Sequence, residues 1–160
     1  DKLASKIDKI SSFTVDTVNE LRDTIWAMNK ESISVEDLQI RLASFIAKAK
    51  EACPNISFDL QVDDDLEKDF LLNSMEGVNY YRIAQEALNN AIKHSNAGII
   101  SIHISKDKDS IRIRISDNGK GIKENNMGNG LGNMRNRAQR IGKQFEIKSE
   151  ENSGTEVFVW

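Results

Sequence analysis

Between Arg82 and Ala97 the chain reads "RIAQEALNNAIKHSNA". Glu86 and Asn90 are four residues apart, so in a helix they stack on one face, with Asn89, Lys93 and Asn96 on or beside it. Ile83, Ala87, Leu88, Ala91 and Ile92 take the opposite side. One side can pack while the other presents a carboxylate, an amide and an ammonium. A carboxylate can orient a nucleophile or take its proton. An amide oxygen is a hard ligand suited to Mg²⁺ that is also held by phosphate oxygens. A lysine neutralises phosphate as a point charge.

Two glycine-rich segments follow. "ISDNGKGI" ends a strand and opens a loop at Asp117, because no strand follows that would make Asn118-Gly119 a hairpin turn. An ionised Asp there only accepts hydrogen bonds, which suits the exocyclic amine of a purine. "GNGLGNMRNRAQRIG" places Gly128, Gly130 and Gly132 at a helix start, where free N–H groups and the helix dipole favour phosphate. Neither G-x-G-x-x-G after a strand nor G-x-x-x-x-G-K-[ST] is present.

Taken in order, "QEALNNAIKH", "DNGKG", "GNGLGNM" and "SGTEV" resemble the N box, G1 box, G2 box and final nucleotide-contacting turn of the ATP-binding domain of sensor histidine kinases. This is the superfamily shared with gyrase, Hsp90 and MutL, and the likeness covers about residues 35–160. It looks closest to the branch of the nitrate and membrane-fluidity sensors. The resemblance implies ATP and Mg²⁺ as cofactors. Asn90 would hold the metal, Glu86 would orient or polarise the attacking group, and Lys93 and His94 would lie near the phosphates. Asp117 would accept from the adenine amine, with Asn118, Gly119 and Gly121 shaping its pocket. Gly128, Asn129, Gly130, Leu131 and Gly132 would form the lid over the phosphates, and Thr155 would add a hydroxyl under the base.

Elements that could position these residues are written into the periodicity. Leu3, Ile7, Ile10, Thr14, Val18, Leu21, Ile25 and Met28 form a coiled-coil-like seam on a long first helix, which needs a partner to cover it. Ser34 and Asp37 offer a capping box for a second helix, with Leu38, Leu42, Phe45, Ile46 and Ala49 inward. "ISFDLQV" alternates as a half-buried strand. A helix is expected over 71–95, then an isoleucine-lined antiparallel hairpin, a helix over 131–141 and two closing strands. Strands with helices segregated to one face give an α+β fold, a two-layer α/β sandwich. Its mixed sheet would have about five strands and about three helices, preceded by the long helix. The expected division is 1–33, the second helix of a dimerisation and phosphotransfer hairpin, and 34–160, the ATP-binding catalytic domain.

A net charge of −3 carries no electrostatic footprint for nucleic acid, and no apolar run is long enough to cross a bilayer. The lone Cys53 excludes an internal disulfide and fits a cytoplasmic setting. Asp1 at the start suggests a piece of a longer protein. The two histidines are His94 and His103; the first lies in the N-box helix and the second alternates with isoleucines on a strand. The resemblance therefore places the phosphoacceptor histidine on a dimerisation helix before Asp1. It implies a homodimeric parent and a response-regulator receiver domain as partner. Two other readings stay open: a stand-alone ATPase switch of the same superfamily, and a non-catalytic dimerisation module.

Overall fold

The computed structural model describes residues 6–7, 10–11, 13–14, 17–18, 21–22, 24–26, 30–66, 70–122 and 129–160, with residue 129 described by its backbone alone. The described residues between 6 and 26 are helical, and the seam positions Ile7, Ile10, Val18, Leu21 and Ile25 are exposed. Leu3 and Met28, also assigned to that seam, lie outside the described residues.

Helix α1 (Val35–Ala52) begins where expected: Ser34 accepts from the Asp37 N–H at 3.0 Å, and the Asp37 carboxylate accepts from the Ser34 N–H at 3.1 Å. Lys30 pairs with the same carboxylate and, as the largest cause, holds Asp37 below the usual carboxylate range. Helix α2 (Ser74–Asn90) starts three residues later than its periodicity suggests. Asn73 caps it, reciprocated by Glu76. Leu71–Asn73 is instead a short strand, β3, paired antiparallel with β1 (Ser32–Ser34). This two-stranded ribbon spans the expected division at residue 33, and Ile33 is fully buried. After Asn90, α2 continues through Ala91–Ser95 as a π-helical turn, a wider coil that occurs often at functional sites. Helix α3 (Asn129–Arg140) completes the set. Among the described residues, no helix is long and apolar enough to cross a membrane.

The main sheet comprises β2 (Ser57–Val62), β4 (Ile99–Asp107), β5 (Ser110–Asp117), β6 (Phe145–Ser149) and β7 (Thr155–Val159), in the order β2-β4-β5-β7-β6. Only β2–β4 is parallel; α2 makes the crossover between them, and the other pairs are antiparallel. Ile100, Ile102 and Ile104 on β4 and Ile111, Ile113 and Ile115 on β5 occupy one face and are at most 2% exposed. They share a core with Leu38, Leu42 and Ile46 of α1, Ile83, Ala87 and Leu88 of α2, and Met134 and Ala138 of α3. The opposite face stays wet, which produces the alternation visible in β4 and β5.

Gly77 in α2 marks where the ribbon docks. A Cβ there would lie 2.5, 2.8 and 2.9 Å from side-chain carbons of Ile33. Glycine to alanine in a helix ordinarily gains about 0.5–1 kcal/mol. Here Gly77→Ala is expected to lose about 1–3 kcal/mol through overpacking, read as a lower urea midpoint at unchanged slope.

Candidate functional site

The polar stripe of α2 forms one wall of a cavity of about 1290 Å³. Of the sequence-assigned residues, Glu86, Asn90, Lys93, His94, Asp117, Gly121, Gly130, Leu131 and Thr155 line it. They come from α2, its π turn, the end of β5 and the loop after it, the start of α3 and the start of β7. Glu86 and Asn90 are half-buried; Lys93 and His94 are exposed on the π turn. The N-terminal turn of α3 rests directly on the α2 wall. A Cβ at Gly130 would collide with the Glu86 carboxylate and lie 3.3 Å from Asn90 Nδ2. A larger residue at this position would have to displace the Glu86 carboxylate.

Backbone contacts hold the loop after β5 against the π turn and the segment before β7. Lys120 N–H donates to Ser95 O at 2.8 Å, and Asn152 N–H to Lys120 O at 2.9 Å. Ser149 Oγ accepts from Ile122 N–H at 2.8 Å, donates to Gly154 O at 3.0 Å and lies 3.0 Å from Thr155 Oγ1. Gly121 (φ +72°) and Gly154 (φ +82°) sit in the left-handed region. A side chain on either would run into a carbonyl, that of Glu150 or of Asp117 respectively. The glycine of "SGTEV" is therefore a steric requirement of the Asp117 backbone.

Three assigned residues do not line the cavity. Asn118 turns its Oδ1 to the N–H groups of Gly98 (3.0 Å) and Ile99 (2.9 Å), which ties β5 to the start of β4. Gly119 packs against the Ser95 carbonyl, where a Cβ would not fit, and its N–H donates to Asp117 Oδ1 at 2.8 Å. It shapes the pocket by fixing Asp117. Gly132 is exposed on α3, with nothing within 4 Å of a built Cβ. Gly128 lies outside the described residues, and Asn129 is the first residue of α3.

Asp117 is half-buried, and burial pushes its carboxyl above the usual range; hydrogen bonds from Gly119 N–H, Ser95 and Thr155 N–H pull the other way without cancelling the shift. Those donors replace only part of its lost water, and a ligand amine would supply a further one. Sequence reasoning passed over Arg82, Gln85, Lys120, Met134 and Arg137, which also line the cavity. Arg82 was recoverable, since it precedes Glu86 by four on the same helix. Met134 is both fully buried in the core and part of the cavity lining.

A sequence model of the family described as "Histidine kinase-, DNA gyrase B-, and HSP90-like ATPase" matches residues 76–160. The chain is 30% identical over 148 residues to the nitrate/nitrite sensor protein NarX of Escherichia coli K12, covering 88% of this chain and 24% of that protein. It is 25% identical over 162 residues to the sensor histidine kinase LiaS of Bacillus subtilis 168, covering 99% of this chain and 43% of that one. The chain thus spans about a quarter and under half, respectively, of these relatives' lengths. The histidine kinase domain of the blue-light activated histidine kinase of Erythrobacter litoralis EL346 superposes with a TM-score of 0.66 at 20% identity, over 81% of this chain and 63% of that one. That solved structure shares the fold.

The raised Asp117 carboxyl sets a sign for stability. The folded state holds that proton more tightly than the unfolded state, so this contribution is full below the ordinary pKa of 3.8 and lost as pH rises through the folded value. Asp117→Asn has no such loss and keeps an acceptor for Gly119. Thermal melts of the two proteins are expected to diverge as pH rises from about 4 to 7, with the Asn variant melting higher at pH 7.

Proposed function

The chain belongs to the histidine kinase-, DNA gyrase B- and HSP90-like ATPase family, and on that premise we propose that it is the ATP-binding catalytic domain of a sensor histidine kinase. In this reading it transfers the γ-phosphoryl group of Mg-ATP to a histidine on a dimerisation helix outside these 160 residues. One observation carries it: Glu86 and Asn90 stand one turn apart under the start of α3, in the same cavity that is lined by the half-buried Asp117. Asp117 accepts from the adenine amine. Ile115, Met134 and Val157, which line the cavity, give the base an apolar seat. The Asn90 amide oxygen fits a Mg²⁺ shared with phosphate oxygens, and the ion supplies charge neutralisation on the triphosphate. Lys93 and His94 add cationic or donor groups from the π turn. Glu86 accepts from the N–H of the incoming imidazole, orients its other nitrogen toward phosphorus, and takes the proton released.

Neither histidine of the chain suits the acceptor role. His94 lines the nucleotide cavity, and His103 is held on β4 by Asp63, with Nε2 2.5 Å from the carboxylate. The helical residues ahead of β1 are read as the second helix of the dimerisation hairpin. The pairing of Ser32–Ser34 with β3 favours a division a few residues before 33. A second copy covers the exposed seam, a receiver domain takes the phosphoryl group onward, and the domain works in the cytoplasm.

Calorimetry with Mg-ATP tests the site. Asp117→Asn is expected to weaken binding about 10- to 100-fold, the worth of a hydrogen bond to a charged group. Asn90→Ala should lose affinity with Mg²⁺ present and much less when EDTA replaces the metal. Unchanged affinity in both variants would remove the assignment. Phosphate release from labelled ATP, with no label reaching a histidine-bearing dimerisation domain, would indicate an ATPase switch instead.

A further inference from the structure

Arg82, Glu86 and Asn90 form one stripe along α2 at intervals of four residues, and all three line the cavity. Each step rises about 6 Å. With Asn90 at the metal and Glu86 at the incoming imidazole, Arg82 falls on the acceptor side of the point of transfer. Phe13 and Thr17 of the N-terminal helix and Phe45 of α1 also line the cavity. Of the other lysine and arginine side chains lining the cavity, Lys93 and Lys120 belong elsewhere, and Arg137 is carried by α3, off the α2 stripe. Lys93 lies three residues beyond Asn90, and Lys120 is bound by its backbone to Ser95 in the loop after Asp117.

Arg82 is also held in place. Its Nη1 donates to Gln85 Oε1 at 2.9 Å, and Gln85 Nε2 donates to the Tyr81 hydroxyl at 3.4 Å. Tyr81 is itself an anchor. It is 5% exposed, its ring meets Trp26 edge-on at 6.3 Å, and the Arg41 guanidinium lies 4.9 Å from it and 4.5 Å from Trp26. A guanidinium fixed in advance beside the path of a moving phosphoryl group stabilises charge without reorganising.

We infer that Arg82, positioned by Gln85, neutralises the phosphoryl group during its transfer to the acceptor, a role that rests on the kinase reading above. In that step the lone pair of one imidazole nitrogen forms the N–P bond while the bond from the γ-phosphorus to the β–γ bridging oxygen breaks. ADP leaves with that electron pair, and the proton on the other imidazole nitrogen passes to Glu86. Arg82 acts on the phosphoryl oxygens in passage, so it contributes to rate and little to ground-state affinity for ATP.

The experiment combines Mg-ATP calorimetry with single-turnover transfer of label from ATP to a separately purified histidine-bearing dimerisation domain, for wild type, Arg82→Ala and Arg82→Lys. Melting curves confirm that each variant is folded. Arg82→Ala is expected to keep ATP affinity within about threefold and to slow transfer about 10²- to 10³-fold, as loss of one preorganised donor does. Arg82→Lys, which keeps the charge, should recover at least about tenfold of that rate. Equal transfer by wild type and Arg82→Ala overturns the role, as does an affinity loss as large as the rate loss. A wild-type chain that binds Mg-ATP but never labels the acceptor overturns the kinase reading, and this role with it.

Discussion

The burial of one side of α2 against the isoleucine face of β4 and β5 is the contact on which the rest depends. Ile83, Ala84, Ala87 and Leu88 are each at most 4% exposed, which fixes the rotation of the helix about its axis. Once that is fixed, Glu86 and Asn90 can face only the cavity, and Arg82 must lie on the same stripe. The small residues matter as much as the large ones. Gly77 admits Ile33 from the ribbon on one side, and Gly130 admits the start of α3 on another. The helix is surrounded because its neighbours can come close, and its polar groups are placed by packing they take no part in.

Two parts of the cavity lining are built on different terms. Around Asp117 the contacts are largely backbone: Lys120 to Ser95, Asn152 to Lys120, Ile122 to Ser149, and the Gly154 turn against the Asp117 carbonyl. Such backbone contacts leave few alternative arrangements, so this part of the lining is held in one shape. Lys93 and His94, exposed on the π turn, are long side chains with more freedom to follow a ligand.

How far the sequence was legible follows from the range over which each signal acts. The α2 stripe, the hairpin β4–β5 and the Ser34–Asp37 box depend on residues two to four apart, and reading them needs no partner element. The β1–β3 ribbon was missed because three-residue strands carry no usable period and their pairing spans about forty residues of chain. The helix was extended over Leu71–Asn73 for the same reason, although Asn73 and Glu76 carried the start signal. The π turn leaves no pattern that separates it from α-helix. Among the glycines, type alone could not tell Gly130, which admits α3 to the Glu86 wall, from Gly132, which faces open space two residues on. Asn118 serves the N–H groups of Gly98 and Ile99 instead of lining the cavity, a choice its sequence does not reveal because Asx side chains serve backbone turns as readily as ligands.

Asp117 shows why such a site resists optimisation for stability. A carboxylate half-removed from water, with its carboxyl pushed upward, is a standing cost to the folded chain. The fold limits that cost with three local donors but does not remove it. A fourth donor from the protein would lower that cost further. In the proposed reading a base amine supplies that donor instead, so affinity for the nucleotide draws partly on stability the unliganded chain forgoes.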